Sequence, residues 1–195
     1  RFLVSVADEL ADEGIRLEYL DCGGGLGIDY QGAAPGLADW VRVIGPVIGA
    51  AGYGLVVEPG RSIVGRAGAL LTRVVYTKQQ GDKRFVIADA GMTDLIRPTL
   101  YQAHHPIVPV APAAGEEVVD VVGPICETSD FLARDRALPP LAAGDLLAVL
   151  HAGAYGFAMS SNYNGHLRPA EVLVEGDAFR VIRRRQTYAD LIAGT

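Results

Sequence analysis

The chain has 195 residues, half of them hydrophobic, with 23 acidic against 17 basic side chains and a formal net charge of -6. That composition supplies a core and argues against disorder, and a length near 200 fits one large domain or two modest ones. The acidic balance argues against a nucleic-acid or anionic-membrane binder, since either needs an electropositive face.

Residues 3–13 predict an amphipathic helix with Phe2, Val6 and Leu10 on one face and Gly14 as its stop. Residues 17–20 predict a short buried strand running into Asp21-Cys22-Gly23-Gly24-Gly25-Leu26-Gly27. A second helix is expected over 36–51, with Leu37, Val41, Ile44 and Ile48 at helical spacing and a disturbance at Pro46. Residues 55–57 predict another apolar strand, closed by Glu58-Pro59-Gly60-Arg61. This rhythm is that of a parallel α/β structure with covered strands. From about Ala67 the period changes. Residues 70–77 and 85–88 bracket a hairpin at Gln79-Gln80-Gly81-Asp82, and further strands are expected at 107–110, 118–122, 146–151, 168–174 and 179–183. The last two flank a second hairpin signal, Glu175-Gly176-Asp177. The expected organisation is an α/β part over residues 1–64 and a largely antiparallel β-domain over 65–195.

Cys22 and Cys126 are too few for a disulfide scaffold or a thiolate zinc site. The longest uncharged stretch, residues 43–57, is too short and too rich in Gly and Pro to span a membrane. The cytoplasm is the expected compartment; because residue 1 is Arg rather than Met, the lack of a visible leader weighs little. Arg183-Arg184-Arg185, the one basic run, reads as a solvated strand face.

Several segments carry chemistry. A triple glycine after a buried strand presents backbone N–H groups with no side chains in the way, which suits a phosphate or simply a tight turn. Glu58 and Arg61 lie three residues apart at a strand's C-terminal end. The carboxylate suits a cationic heterocycle nitrogen, and the guanidinium suits a phosphate or carboxylate; a local ion pair is the plainer reading. Cys126 stands beside Glu127 and near Asp130, so its thiol is a poor nucleophile and a usable general acid. Tyr155, in a run of small residues, has room to lie against a planar ligand, and Arg97 and Tyr101 offer a cation and a phenol four residues apart. Adjacent His104 and His105 point to opposite faces of an extended chain and are not read as a metal site.

Each of these motifs is weak alone, but their order is not. GGGLG, EPGR, DAGMTDLIRPTLYQA, GPICETSD and GAYGFAMSSNYN follow one another as in the diaminopimelate decarboxylases, and the chain resembles a bacterial member of that family. These fold-type III enzymes use pyridoxal 5'-phosphate (PLP) and are similar to alanine racemase and the ornithine decarboxylases. The resemblance implies the C-terminal part of a PLP-binding (β/α)8 barrel followed by the β-domain, with the last residues packing back on the barrel. It implies that Gly23, Gly24 and Gly25 cradle the PLP phosphate, that Glu58 faces the pyridine nitrogen, and that Arg61 serves phosphate and substrate carboxylate. Arg97 and Tyr101 would bind the substrate's distal end, Glu127 its distal ammonium, and Tyr155 both PLP and substrate. Cys126 would be the general acid, supplied across a homodimer with shared active sites. The implied reaction is decarboxylation of meso-2,6-diaminopimelate to L-lysine, with no nucleic-acid or membrane partner and no metal.

Two departures stand out. The family's CESGD block reads CETSD here, and the Schiff-base lysine and a ring-stacking histidine belong to a segment this chain lacks. Its only lysines are Lys78 and Lys83, so the chain alone is expected to be inactive. The competing readings are a decarboxylase of another basic amino acid (ornithine, arginine or carboxynorspermidine), a non-catalytic homologue that regulates decarboxylase subunits, and an isolated β-domain.

Overall fold

The computed structural model describes residues 1–30 and 34–194, which divide into two compact units, Arg1–Gly65 and Arg66–Thr195. The first unit runs α1 (Phe2–Asp12), β1 (Tyr19–Asp21), α2 (Leu37–Ala50), β2 (Gly54–Val56) and α3 (Gly60–Val64). β1 and β2 pair in parallel, Leu20 opposite Leu55, so that α2 is the crossover of a βαβ unit. Ala7, Leu20 and Ile48 form the core of this unit, with Val4, Cys22, Tyr53 and Leu55 against them.

That core corrects the expected face of α1. Phe2 is 79% exposed and Val6 is also exposed, while Ala7 is buried and Val4 half-buried. The helix packs along its Val4–Ala7 stripe because the small Ala7 side chain lets its backbone approach β1 and α2. The first strand also begins two residues later than the apolar run predicts, leaving Leu17 exposed. Pro46 does not break α2, which continues through it to Ala50. The residue before a proline normally resists helical geometry through its Cβ; here that residue is Gly45, whose absent Cβ removes the clash.

The second unit holds β3 (Leu70–Gln80), β4 (Lys83–Ala88), α4 (Arg97–Tyr101), β5 (Ile107–Pro109), β6 (Glu117–Val122), β7 (Phe131–Leu138), β8 (Leu146–Val149), β9 (Glu171–Glu175), β10 (Ala178–Arg183) and α5 (Tyr188–Leu191). Six strands form one sheet in the order β5-β8-β3-β4-β6-β7, and β9 and β10 form a separate hairpin. Both predicted hairpins are present, closing at Gln80↔Lys83 and Ala178↔Glu175. β3 is long enough to serve two partners: residues 70–73 pair with β8 and residues 74–80 with β4. All neighbours in the six-stranded sheet are antiparallel except β4 and β6. The long connection through α4 and β5 returns β6 in the direction of β4, so the sheet is mixed. Val74, Val86, Val121, Leu132, Leu147 and Val149 lie at the centre of its core.

β7 and α4 are absent from the sequence expectation. In β7 the run Arg134-Asp135-Arg136 hides the alternation, and Asp135 adopts φ 46° beside a register shift against β6. The strand near Arg168 starts later, at Glu171, after Pro169, which has no N–H for a ladder. β8 ends at Val149, and the Leu150 N–H turns instead to the Pro106 carbonyl at 2.8 Å.

Candidate active site

Three of the blocks singled out in the sequence are tied together in the second unit. After β4, Asp89 accepts hydrogen bonds from the Thr72 hydroxyl at 2.7 Å and the Arg73 N–H at 2.8 Å, which fixes the start of the Asp89–Asp94 loop. The Ser161 N–H donates to the Thr93 carbonyl at 3.0 Å, joining this loop to the SSNYN block. The Thr99 hydroxyl donates to the Ser129 carbonyl at 2.6 Å, joining α4 to the CETSD block. Tyr163 closes the ring of contacts by donating its hydroxyl to Glu127 Oε2 at 3.4 Å.

Asp130 is the hub of this arrangement. It is buried, and its two carboxylate oxygens accept from the Met92 and Ile125 N–H groups, each at 2.6 Å. Gly91 and Gly123 lie so close that a Cβ on either would stand about 2.5 Å from an Asp130 oxygen. Burial pushes the Asp130 carboxyl up, while the two N–H bonds pull against that. Sequence reasoning noted Asp130 only as part of a motif; its role is visible once two glycines and two amides converge on it.

Around that hub, Cys126 and Glu127 occupy the exposed part of a tight turn after β6. Hydrogen bonds from the Ser129 N–H and hydroxyl, then from Tyr163, hold the Glu127 carboxyl below its usual range. An ionised Glu127 beside a thiol suits recognition of an ammonium group.

Arg97 starts α4 and is buried, with only 6% of its surface exposed. Its Nη1 lies 3.0 Å from His105 Nε2, and its guanidinium carbon is 5.9 Å from the centre of the Tyr155 ring. Tyr155 is exposed, on a backbone with φ 61° in a region that non-glycine residues rarely occupy. Tyr101, one turn beyond Arg97, is 61% exposed, so the expected cation and phenol share a helix but differ in burial. His105 is fully buried and His104 is not, as their adjacency on an extended segment requires. Among the described residues no three His, Cys, Asp or Glu gather as metal ligands, and no helix is long and apolar enough to cross a membrane.

Burial, followed by the charges of Arg97, His151 and His104, lowers the pKa of His105 to about 4 from its ordinary 6.5, although the Leu150 carbonyl favours the charged form. Between these values the unfolded chain binds a proton that the folded chain does not, so stability falls as pH drops from 6.5 through 4. The expected loss, read as the difference in pH dependence between the wild type and H105Q in urea titrations, is on the order of 3 kcal/mol.

In the first unit the glycine loop and the EPGR segment meet. Beyond the strands, the Cys22 N–H donates to the Val56 carbonyl and the Glu58 N–H to the Gly23 carbonyl, both at 2.9 Å. A Cβ on Gly24 would stand 2.6 Å from the Glu58 carbonyl oxygen, and Gly23 and Gly25 adopt φ 71° and 85°. Only glycine allows this approach together with these backbone angles. The loop leaves open space at Gly23 and Gly25, Glu58 is exposed at the strand end, and Arg61 is half-buried in α3.

Residues 4–153 match the family described as pyridoxal-dependent decarboxylase, C-terminal sheet domain. The chain belongs to this family. It is 54% identical over 194 residues to the diaminopimelate decarboxylase of Pseudomonas aeruginosa, covering 98% of this chain and 46% of that protein. A solved structure from Aquifex aeolicus superposes with a TM-score of 0.90 at 48% identity, covering 95% of this chain and 47% of that one. The Helicobacter pylori diaminopimelate decarboxylase, solved in complex with L-lysine, superposes with a TM-score of 0.89 at 42% identity, covering 96% and 47%. The chain therefore spans about half the length of the decarboxylases it matches, and its mixed sheet is the part that names this pyridoxal-dependent family.

Proposed function

We propose that these residues are the C-terminal part of a PLP-dependent decarboxylase that converts meso-2,6-diaminopimelate to L-lysine and carbon dioxide in the cytoplasm. The observation that carries this reading is the pairing of a buried cation with an ionised carboxylate. Arg97 on α4 is a buried cation and Glu127 in the exposed CETSD turn is held in its charged form; in a site shared between subunits, the turn of one subunit would meet the Arg97 of the other. Diaminopimelate ends in a second amino-acid group, whose carboxylate suits Arg97 and whose ammonium suits Glu127. Ornithine offers only an ammonium and has no distal carboxylate for Arg97 to meet.

The residues present fit the cofactor. The open glycine loop suits the PLP phosphate, with Gly23, Gly24 and Gly25 supplying amides. Glu58, pinned to that loop by its own N–H, is suited to keep the pyridine nitrogen protonated, and Arg61 to hold phosphate or substrate carboxylate. The βαβ unit of α2, β1 and β2 supports reading residues 1–64 as the end of a (β/α)8 barrel, with 65–195 as the sheet domain. When bound, PLP supplies an electron sink for the pair left on the α-carbon as the carboxylate leaves. Arg97, Tyr101 and Glu127 hold the distal end of the substrate, and so choose which α-carbon bond is aligned for cleavage. Tyr155, exposed on its strained backbone, is suited to contact both PLP and substrate. Cys126 is placed to donate its Sγ proton to the α-carbon and to recover one from solvent before the next turnover. The exposure of the Cys126-Glu127 turn supports a homodimer in which each subunit completes its partner's site.

Neither lysine of this chain is suited to carry the cofactor. Lys83 is held by Asp120 at 3.0 Å and Asp135 at 3.6 Å, which favour its charged form, and Lys78 lies on β3 opposite Phe85. The test is intact mass after incubation with PLP and borohydride. This chain is expected to remain at 20.6 kDa, and the full-length protein to gain one adduct. A stable adduct on this chain, or none on the full-length protein, contradicts the reading.

The same geometry predicts that Gly24→Ala, by forcing its Cβ against the Glu58 carbonyl, weakens PLP binding to the full-length enzyme at least ~10-fold. A fluorescence titration of the apoenzyme with PLP measures this.

A further inference from the structure

We propose that His105 is the positioning residue of Arg97, and that it works as a neutral imidazole in the Nδ1–H tautomer. The inference rests on the proposed function in one respect, that Arg97 meets the distal carboxylate of the substrate.

The ring nitrogens of His105 face partners whose chemistry leaves one protonation pattern. The Arg97 guanidinium at 3.0 Å from Nε2 can only donate. The Leu150 carbonyl at 2.9 Å from Nδ1 can only accept. Nε2 must therefore carry the lone pair and Nδ1 the proton. A doubly protonated ring would set one N–H against another and break the bond to Arg97. The ring itself is well anchored. It is fully buried, its main-chain carbonyl accepts from Arg136 Nη1 at 2.8 Å, and the Leu150 backbone is tied to Pro106 at 2.8 Å.

A neutral acceptor has a consequence that a carboxylate in the same place would not. An Asp or Glu would orient the guanidinium and also cancel its charge. Imidazole orients it without adding a negative charge of its own. His105 therefore acts on substrate affinity through Arg97, without contact with the reacting atoms.

In the full-length PLP-loaded enzyme, His105→Leu is expected to raise KM for meso-diaminopimelate about 10- to 100-fold and to change kcat less than ~3-fold. His105→Gln, which restores an oxygen acceptor, recovers most of the affinity. His104→Gln, a neighbour outside the contact, leaves both constants near wild type. In parallel, the nitrogen resonances of 15N-histidine-labelled wild type, assigned by comparison with H105Q, are expected to show a protonated Nδ1 and a bare Nε2 at pH 7. Folded H105L with unchanged KM, or a protonated Nε2, overturns the proposal. Should H105L not fold, the H105Q kinetics and the tautomer decide. A wild-type enzyme that does not turn over diaminopimelate refutes the proposed function alone, because the tautomer is read without substrate.

Discussion

Cys126→Ala in the full-length enzyme is expected to lower kcat about 10²- to 10⁴-fold while leaving KM and thermal stability close to wild type. Loss of the carboxylate leaves an electron pair at the α-carbon, and the rate of product formation then depends on a proton placed near it. Cys126 is exposed, so removing its sulfur opens no core cavity. The turn that presents it is held by other groups: Asp130 on the Ile125 N–H at 2.6 Å and the Glu127 N–H on the Ile125 carbonyl at 2.8 Å. The loss therefore falls on proton delivery. Steady-state kinetics with a melting curve on the same sample separate the two effects. An unchanged kcat would assign the proton to another group and remove Cys126 from the mechanism.

The largest stability effect is expected at Asp130. Asp130→Ala leaves the Met92 and Ile125 N–H groups without acceptors inside the protein. It also opens a gap against Gly91 and Gly123, which lie within contact distance of the carboxylate only because they lack side chains. One buried and one half-buried orphaned donor cost about 3 kcal/mol, which corresponds to a fall in Tm of roughly 6–12 °C for a unit of this size. Asp130→Asn separates shape from charge, because its amide keeps one acceptor and sets an NH2 against the second donor. The loop that moves is the one carrying Cys126, so D130A also loses activity below its melting temperature. A shift in Tm of less than about 2 °C would show that the two amides find other partners.

Much of the fold is legible in the residues, and the exceptions have physical causes. Glycine turns at 81 and 176 sit between alternating runs, so both hairpins can be read directly. β7 cannot, because its polar centre is occupied by one local and one tertiary contact: Arg134 stacks on Phe131 of the same strand at 3.9 Å and Arg136 reaches the His105 carbonyl. The face of α1 is misread because Phe2, Val6 and Leu10 fall at helical spacing and are larger than alanine, whereas packing selects the small Ala7. The candidate site follows the same division. Residues that meet a ligand, such as Cys126, Glu127, Tyr155 and the triple glycine, stand in recognisable order along the chain. Asp130 and His105 act through partners distant in sequence, Met92 and Leu150, and only the folded chain brings those pairs together.

The most direct test of the account compares kcat/KM of the full-length enzyme for meso-diaminopimelate and for L-ornithine, measured as carbon dioxide released. Arg97 is suited to meet a distal carboxylate, which ornithine lacks, so a preference for diaminopimelate of at least ~10³-fold is predicted. Equal turnover of the two substrates, or a preference for ornithine, would contradict the assignment of Arg97 and Glu127 to a distal amino-acid group.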